Sequence, residues 1–384
     1  MRRSSRSDID PFIVMDVMEA ARAAEEAGRH VVHMEVGQPG TPAPVGARAA
    51  LARALDAGPL GYTVALGLPA LRARIARHYR DWYGVEISPD RVVVTAGASG
   101  AFILAFTALF DAGDTVALGA PGYPSYRQIL RAMNVTPVDI ETRAENRYLL
   151  APDDVPDDVA GVLVASPANP TGTMLDRPAL AALIEATEAR GAAFIADEIY
   201  HGLSYEGRAV SALEITDDVF IINSFSKYFS MTGWRLGWMV VPESHVRVVE
   251  RLAQNMFICP PHASQVAALA AMDCAEELDA NRAIYAENRR RLLAGLPQIG
   301  FDRFAPPDGA FYIYADVSDL TSDSRRLASD ILAEAGVAVT PGLDFDPARG
   351  ATTLRFSYAG PTSEMDEGLS RLAEFMQKRS ALGS

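Results

Sequence analysis

The chain has 384 residues, with 35 Lys and Arg against 49 Asp and Glu, for a formal net charge of −14. At ~100–200 residues per domain this length accommodates two or three domains, and a 49% hydrophobic fraction with only 22% charge excludes a disordered chain. The acid excess would repel a phosphate backbone, so nucleic acid is not an expected partner.

Only Lys227 and Lys378 are lysines; every other basic residue is an arginine. Cys259 and Cys274 are too few for a disulfide framework or a Cys-based zinc site, and such sparse usage fits a reducing cytoplasm. The basic stretch Met1–Ser7 is not followed by the apolar run of a secretion signal. No apolar run reaches about 18 residues, so no membrane-spanning helix is expected.

In chain order, Pro11–Ala27 reads as an amphipathic helix closed by Gly28. Short apolar runs follow at Val31–Val36, Arg91–Thr95, Thr115–Gly119, Val135–Ile140, Gly161–Ala165, Ala193–Ala196, Val219–Ile222 and Leu236–Val241. Rich in Val and Ile and lacking period-two alternation, they are expected to be strands buried on both faces. Helical patterns at Pro69–Tyr83, Gly100–Phe110, Tyr126–Met133 and Pro178–Arg190 lie between them. This alternation predicts an α/β fold with a mostly parallel, helix-flanked sheet. Beyond Pro261 the chain reads as helical to about Leu296. Strand candidates then return at Phe311–Ala315, Val337–Thr340 and Thr352–Phe356. Both termini are expected to build a smaller α+β domain, 1–40 with 285–384, beside a large domain of 41–284.

In open α/β sheets ligands bind beyond the carboxyl ends of the strands. There the sequence places Gly97-Ala98-Ser99-Gly100, then Tyr123, Asn169-Pro170-Thr171-Gly172, Asp197 with Tyr200, and Ser224-Phe225-Ser226-Lys227 with Arg235. Singly, each has a plain reading. The glycines suit a tight turn, Asn-Pro-Thr-Gly is a good turn sequence, Asp197 would cap a helix, the tyrosines would pack at a sheet rim, and the serines would start a loop. A lysine at an apolar strand end is harder to dismiss, since Lys is rarely buried without a partner.

Jointly they meet the needs of pyridoxal 5′-phosphate. A phosphate suits a helix start lined by small residues, with hydroxyls and Arg235. Tyr123 offers a stacking face, and Asp197 would keep a ring nitrogen protonated. Asn169 and Tyr200 would donate to a phenolic oxygen, and Lys227 would form a Schiff base with an aldehyde. Burial near Arg235 is expected to lower the lysine's pKa.

From about Val36 to Tyr358 the sequence resembles the class I/II aminotransferases of the fold-type I pyridoxal-phosphate enzymes. The most specific match is Ser224-x-Ser226-Lys227 through Arg235-x-Gly237, with Asn169-Pro170-Thr171-Gly172 and Asp197-x-x-Tyr200 upstream. The resemblance implies that Lys227 is the Schiff-base lysine and that Asp197 pairs with the pyridine nitrogen. It gives Asn169 and Tyr200 to the phenolic oxygen, Tyr123 to the ring, and Ala98, Ser99, Ser224 and Arg235 to the phosphate. Tyr62 would reach the phosphate of a neighbouring subunit, so a homodimer with shared active sites is implied. Arg355, in Leu354-Arg355-Phe356-Ser357, resembles the arginine that grips the substrate carboxylate, a role suited to a bidentate guanidinium. Gly37 resembles a glycine lying against the same carboxylate. The apolar Pro11–Met15 stretch resembles a segment that covers the site, which favours a neutral or aromatic amino acid paired with a 2-oxo acid.

Three other readings compete. Ser224-x-x-Lys227 also fits serine β-lactamases and penicillin-binding proteins, but neither lysine is followed by Thr-Gly. A transcription-regulator effector domain would need a DNA-binding domain, for which about 30 residues before the first strand leave no room. β-Elimination on the same cofactor is not separated from transamination by these motifs. His30 and His33 are expected to lie on opposite faces of the chain rather than to share a metal. Trp234 and Trp238 are expected to pack beside the Lys227 loop.

Overall fold

The fold was analysed in a computed structural model that describes residues 1–382. Its centre is a seven-stranded sheet. From edge to edge the strands are Val92–Thr95, Gly237–Val240, Phe220–Ser224, Ala193–Asp197, Gly161–Ala165, Thr115–Ala120 and Thr136–Glu141. Gly237–Val240 runs antiparallel to both its neighbours; the other six strands share one direction. Their carboxyl ends therefore meet along one rim.

The absence of alternation in the apolar runs has a direct cause. Val92, Val94, Phe194, Ala196 and Ile221 point into one core, while Val93, Ile195, Phe220 and Ile222 point into another on the opposite face. Each fully buried Val or Ile contributes about 1.5–3 kcal/mol relative to exposure, so both faces need covering helices. Pro69–Tyr83, Arg177–Glu188 and His262–Ala271 cover the first face; Gly97–Leu109, Pro124–Ala132 and Glu243–Met256 cover the second. Thr136–Glu141 departs from expectation: it is the edge strand, half-exposed along its length and not buried on both faces.

The chain ends form two smaller sheets. An antiparallel one has the order Thr340–Pro341, Thr353–Ser357, Tyr312–Asp316, Arg303–Phe304. The expected single strand Val337–Thr340 is instead divided. Val337–Ala338 pairs in parallel with Val32–His33, and only Thr340 and Pro341 join the antiparallel sheet. The run Val31–Val36 likewise contributes just two strand residues. Backbone bonds from Met34 N to Ala338 O (3.0 Å) and from Ser357 N to Met34 O (2.7 Å) carry it past both sheets toward the rim. The N-terminal helix spans Ile13–Glu26, and Ala275–Gly295, Ser324–Ala335 and Thr362–Leu382 complete this region. No helix among the described residues is long and apolar enough to cross a membrane.

Candidate active site

A cavity of about 190 Å³ opens at the common rim. Eleven residues singled out in the sequence line it: Gly37, Ala98, Ser99, Tyr123, Asn169, Tyr200, Ser224, Ser226, Lys227, Arg235 and Arg355. Gly97 and Asp197 stand immediately behind this lining. Tyr62 does not reach it and is 83% exposed.

One end of the cavity is built for an anion. The Gly97–Leu109 helix begins at Ala96, which offers no side-chain cap, so its first N–H groups face the cavity side without that partner. Gly97 has φ +75°, and a β-carbon there would lie 2.5 Å from Arg235 Nη2. The glycine thus makes room for the guanidinium. Arg235 sits at the rim with φ +50°, rare for a non-glycine residue, and donates from Nη1 to Thr232 O at 2.9 Å. Ser224 Oγ lies 2.9 Å from Ser226 Oγ and 3.2 Å from Leu236 O, with its one hydrogen shared between these two acceptors.

Asp197 ends its strand 2% exposed. Its Oδ1 accepts the Ile199 N–H at 3.0 Å, and Oδ2 accepts a short bond from the Tyr126 hydroxyl. Burial raises the carboxyl to about 6, against the opposing effects of Tyr126, the Ile199 N–H and Lys227. Lys227 Nζ donates to Gly37 O at 2.6 Å and lies 5.5 Å from the Tyr200 ring centroid. Burial lowers its pKa to about 7, with Arg355 and then Arg235 adding to the shift and Asp197 opposing it. The direction agrees with expectation, but Arg355 outweighs the arginine anticipated as the main neighbour. Ser224 bonds to Ser226 and not to Lys227, which removes the hydroxyl–amine contact that a Ser-x-x-Lys hydrolase requires.

The other end of the cavity is assembled by the terminal segments. Arg355, 2% exposed, is stacked between the rings of Tyr312 (4.3 Å to the centroid) and Phe345 (4.7 Å). Its Nη1 donates to Asn169 Oδ1 at 3.0 Å, and its Nη2 makes a short bond to Glu35 O. Nε is buried without a partner. An orphaned buried donor is costly, and here it marks where an acceptor belongs. Gly37 is required by Tyr312, whose hydroxyl would lie 1.9 Å from a β-carbon at position 37. The same hydroxyl is 2.8 Å from that of Tyr200. Phe12, Val14, Met15 and Met18 roof the cavity, and Phe102, Tyr126 and Ile199 complete its apolar side.

Phe12, Val14 and Met15 of the roof fall in the Pro11–Met15 stretch expected to cover the site, whereas Met18, Tyr126 and Tyr312 are the parts that sequence reading missed. Tyr126 carried a usable signal, since it lies in the first turn of the helix that starts beside Tyr123. Tyr312 carried none. The two histidines are engaged elsewhere: His33 with Glu35 (2.8 Å) and Glu25 (3.2 Å), His30 with Glu367 (3.4 Å). Among the described residues no group of His, Cys, Asp and Glu could hold a metal. Trp238 is fully buried against Phe225 of the Lys227 loop, at 5.0 Å between centroids.

An anion cradle, a buried carboxylate and a lysine of lowered pKa in one cavity are the parts of a pyridoxal-phosphate enzyme, and the donor set fits that cofactor from phosphate to ring nitrogen. Comparison with known proteins narrows the class. The profile of the family "Aminotransferase class I and II" matches residues 29–372. The chain is 47% identical to the valine–pyruvate aminotransferase of Mycobacterium tuberculosis H37Rv, covering 98% of each sequence. A chain of known structure from Silicibacter pomeroyi is 67% identical, with a TM-score of 0.94 and coverage of 98% of this chain and 100% of that one. The alanine aminotransferase of Pyrococcus furiosus superposes with a TM-score of 0.91 at 31% identity, over 98% of this chain and 100% of that one. The chain belongs to the class I and II aminotransferases. It is a pyridoxal-phosphate-dependent aminotransferase, a transferase acting on amino acids and 2-oxo acids.

Proposed function

We propose that this enzyme transfers the amino group of a neutral, apolar L-amino acid to a 2-oxo acid, at sites shared between two copies of the chain. The observation that carries the substrate class is the lining of the cavity. Its cations are Arg235, Lys227 and Arg355, and among the described residues no other cationic side chain lines it. Arg235 faces the anion end, and Arg355 has its orphaned Nε for the α-carboxylate. The substrate side chain is left with Phe12, Val14, Met15 and Met18. A charged side chain would be desolvated there without a partner, at a cost of several kcal/mol. The alanine and valine–pyruvate enzymes among the relatives support the same reading.

Bound pyridoxal phosphate supplies an electron-withdrawing ring that accepts the electron pair left on the substrate Cα. The chain's own residues do the rest. Arg355 would fix the α-carboxylate through its planar fork and so orient the substrate Cα within the cavity that Lys227 lines. Lys227 Nζ, with a pKa near 7, is neutral often enough to take the Cα proton and acidic enough to return one. Asp197, held by Tyr126 and the Ile199 N–H, keeps the ring nitrogen protonated. Asn169 and Tyr200 would donate to the phenolic oxygen, and Tyr123 would offer a face to the ring. Gly97, Ala98, Ser99, Ser224, Ser226 and Arg235 hold the phosphate.

The shared site is supported by Tyr62 and its surroundings. Tyr62, Val64, Met256 and Ile258 are large apolar side chains left exposed. His262 Nδ1 within 2.8 Å of Gly61 O ties the Tyr62 loop to the segment that carries the last two. A second copy placed here would cover this surface and bring Tyr62 to the neighbouring phosphate. A division into a large domain and a smaller one built from both termini is supported by the separate sheets, although the expected boundary at 284/285 falls inside the continuous helix Ala275–Gly295. A cytoplasmic location is supported by two free cysteines.

Two measurements test this. In single-turnover assays of the holoenzyme, valine and phenylalanine should yield their 2-oxo acids at least about tenfold faster than aspartate, one desolvated charge exceeding 1.4 kcal/mol. Faster aspartate turnover overturns the apolar reading. Light scattering should give twice the 41.3 kDa chain mass, and a monomer with full activity overturns the shared site.

A further inference from the structure

The first turn of the Ile13–Glu26 helix forms the cavity roof, yet its own N-cap residue, Phe12, offers no side-chain cap. The cap comes from 331 residues away. Asp344 Oδ1 accepts the Ile13 N–H at 2.9 Å, and Oδ2 accepts the Val14 N–H at 3.1 Å. Asp344 is 4% exposed, and its position is fixed in turn. Arg127, itself buried, donates from Nη2 to Asp344 O (3.0 Å) and from Nη1 to Phe345 O (3.1 Å). Gly122 N, beside the ring-stacking Tyr123, also donates to Phe345 O at 3.0 Å.

The neighbouring residue completes a mechanical link. The Phe345 ring packs against Val14 of the roof in one apolar cluster, and it lies under the Arg355 guanidinium. One two-residue turn therefore contacts the roof on one side and the substrate-carboxylate arginine on the other. The far end of the helix is held differently, by Val17, Ala21 and Ala24 packed on Val31, Leu332 and Ala338. Only its first turn, which carries the substrate-facing side chains, depends on a buried carboxylate.

We propose that Asp344 is a specificity-determining positioning residue, which seats the helical roof over the substrate side chain and sets its height above Arg355. It touches neither substrate nor cofactor; it acts through Val14 and its neighbours. Its loss should then weaken substrates in proportion to how far their side chains reach the roof, whereas a general structural defect would weaken all alike. This rests on the apolar-substrate reading above.

The test compares KM and kcat for alanine, valine and phenylalanine in the holoenzyme and two variants. Asp344→Asn keeps the shape but turns one acceptor into a donor facing an N–H. Ile13→Pro removes the N–H that Oδ1 accepts, at a first helical position where proline fits; Phe12, at φ −90° and ψ 101°, suits the residue before a proline. Both should raise KM for valine and phenylalanine roughly tenfold, the scale of one lost hydrogen bond to a charged group. KM for alanine should move less than about threefold on the same scale, with kcat and the visible absorption of the bound cofactor unchanged. An equal rise for alanine, a fall in kcat at constant KM, or no change in either variant overturns the proposal. If Asp344→Asn does not fold, Ile13→Pro decides alone. Wild-type preference for aspartate over valine would sink the apolar reading instead, and that result comes from the unmodified enzyme.

Discussion

The two ends of the cavity are built by different means. The cofactor end is made where five parallel strands of one sheet terminate, so its parts lie within Gly97–Arg235 and all but Arg235 follow an apolar run. The backbone of a rigid, doubly covered sheet fixes their spacing. The substrate end gathers Phe12–Met18, Gly37, Tyr312, Phe345 and Arg355 from segments hundreds of residues apart, joined by side-chain contacts. A sheet rim holds reacting groups to the tolerance that chemistry needs. An assembly of distant segments can change one side chain at a time without disturbing that rim, which suits specificity. If this division is real, damage at the first end should be independent of substrate, and damage at the second should depend on it.

The largest effect is expected at Lys227. Replacing it with alanine should lower kcat by about 10⁴-fold for every amino acid, the upper range for a positioned acid–base group, and should abolish the visible band of the bound cofactor. Activity within tenfold of wild type would break the comparison at its root. The lowered pKa gives a second reading of the same residue. The amine attacks an aldehyde only when neutral, and its value is near 7. Capture of pyridoxal phosphate by the cofactor-free protein should therefore speed up as pH rises toward 7 and level off above it. A rate still climbing at pH 9 would show that burial and Arg355 do not act on this amine.

Asp197 comes next. Asp197→Ala removes the carboxylate facing the ring nitrogen and strands the Tyr126 hydroxyl. Turnover should fall about 10²–10³-fold, comparable to the loss of one preorganised electrostatic partner, while the visible band persists because Lys227 is intact. The loss should be the same for alanine, valine and phenylalanine. Different factors for the three would mean that the cofactor end also reads the side chain.

The same division explains what the sequence disclosed. The strand runs were readable because both faces of the sheet are buried, which turns Val92–Thr95 or Phe220–Ser224 into unbroken apolar stretches. The residues beyond them could then be placed on one rim before any coordinates. Thr136–Glu141 misled for the converse reason: at a sheet edge an apolar run need not be covered. Lys227 and Lys378 show how placement separates identical residues, the first at a strand end under Arg355, the second exposed on the last helix. At the substrate end Arg355, Gly37 and the covering stretch Pro11–Met15 were found, all through resemblance. Asp344, Tyr312 and Phe345 carry no local pattern. Their meaning lies in contacts with Ile13, Gly37 and Arg355, and such contacts leave no periodicity in a single chain.

The smallest of these effects is expected at Arg355, where the two ends meet. Its guanidinium is clamped flat between Tyr312 and Phe345, with one Nη1 hydrogen on Asn169 and Nη2 on Glu35 O, so that Nε alone among its nitrogens has no partner and a second Nη1 hydrogen is also left over. Arg355→Lys keeps the charge but loses the fork and the planar stacking. A lysine ammonium would satisfy either Glu35 O or the substrate carboxylate, not both in one plane. The cost should be one or two charge-assisted hydrogen bonds, about 1.5–3 kcal/mol each, or roughly 10- to 100-fold in kcat/KM. Because Phe345 also supports the roof, the loss should be greater for phenylalanine than for alanine. The visible band should persist, since Lys227 is intact and the positive charge at position 355 is kept. A loss equal for all substrates would confine Arg355 to the shared α-carboxylate and remove its link to the roof through Phe345. A loss confined to KM and graded by side-chain size would sharpen the boundary between the two ends, locating the step from chemistry to recognition between Asn169 and Phe345.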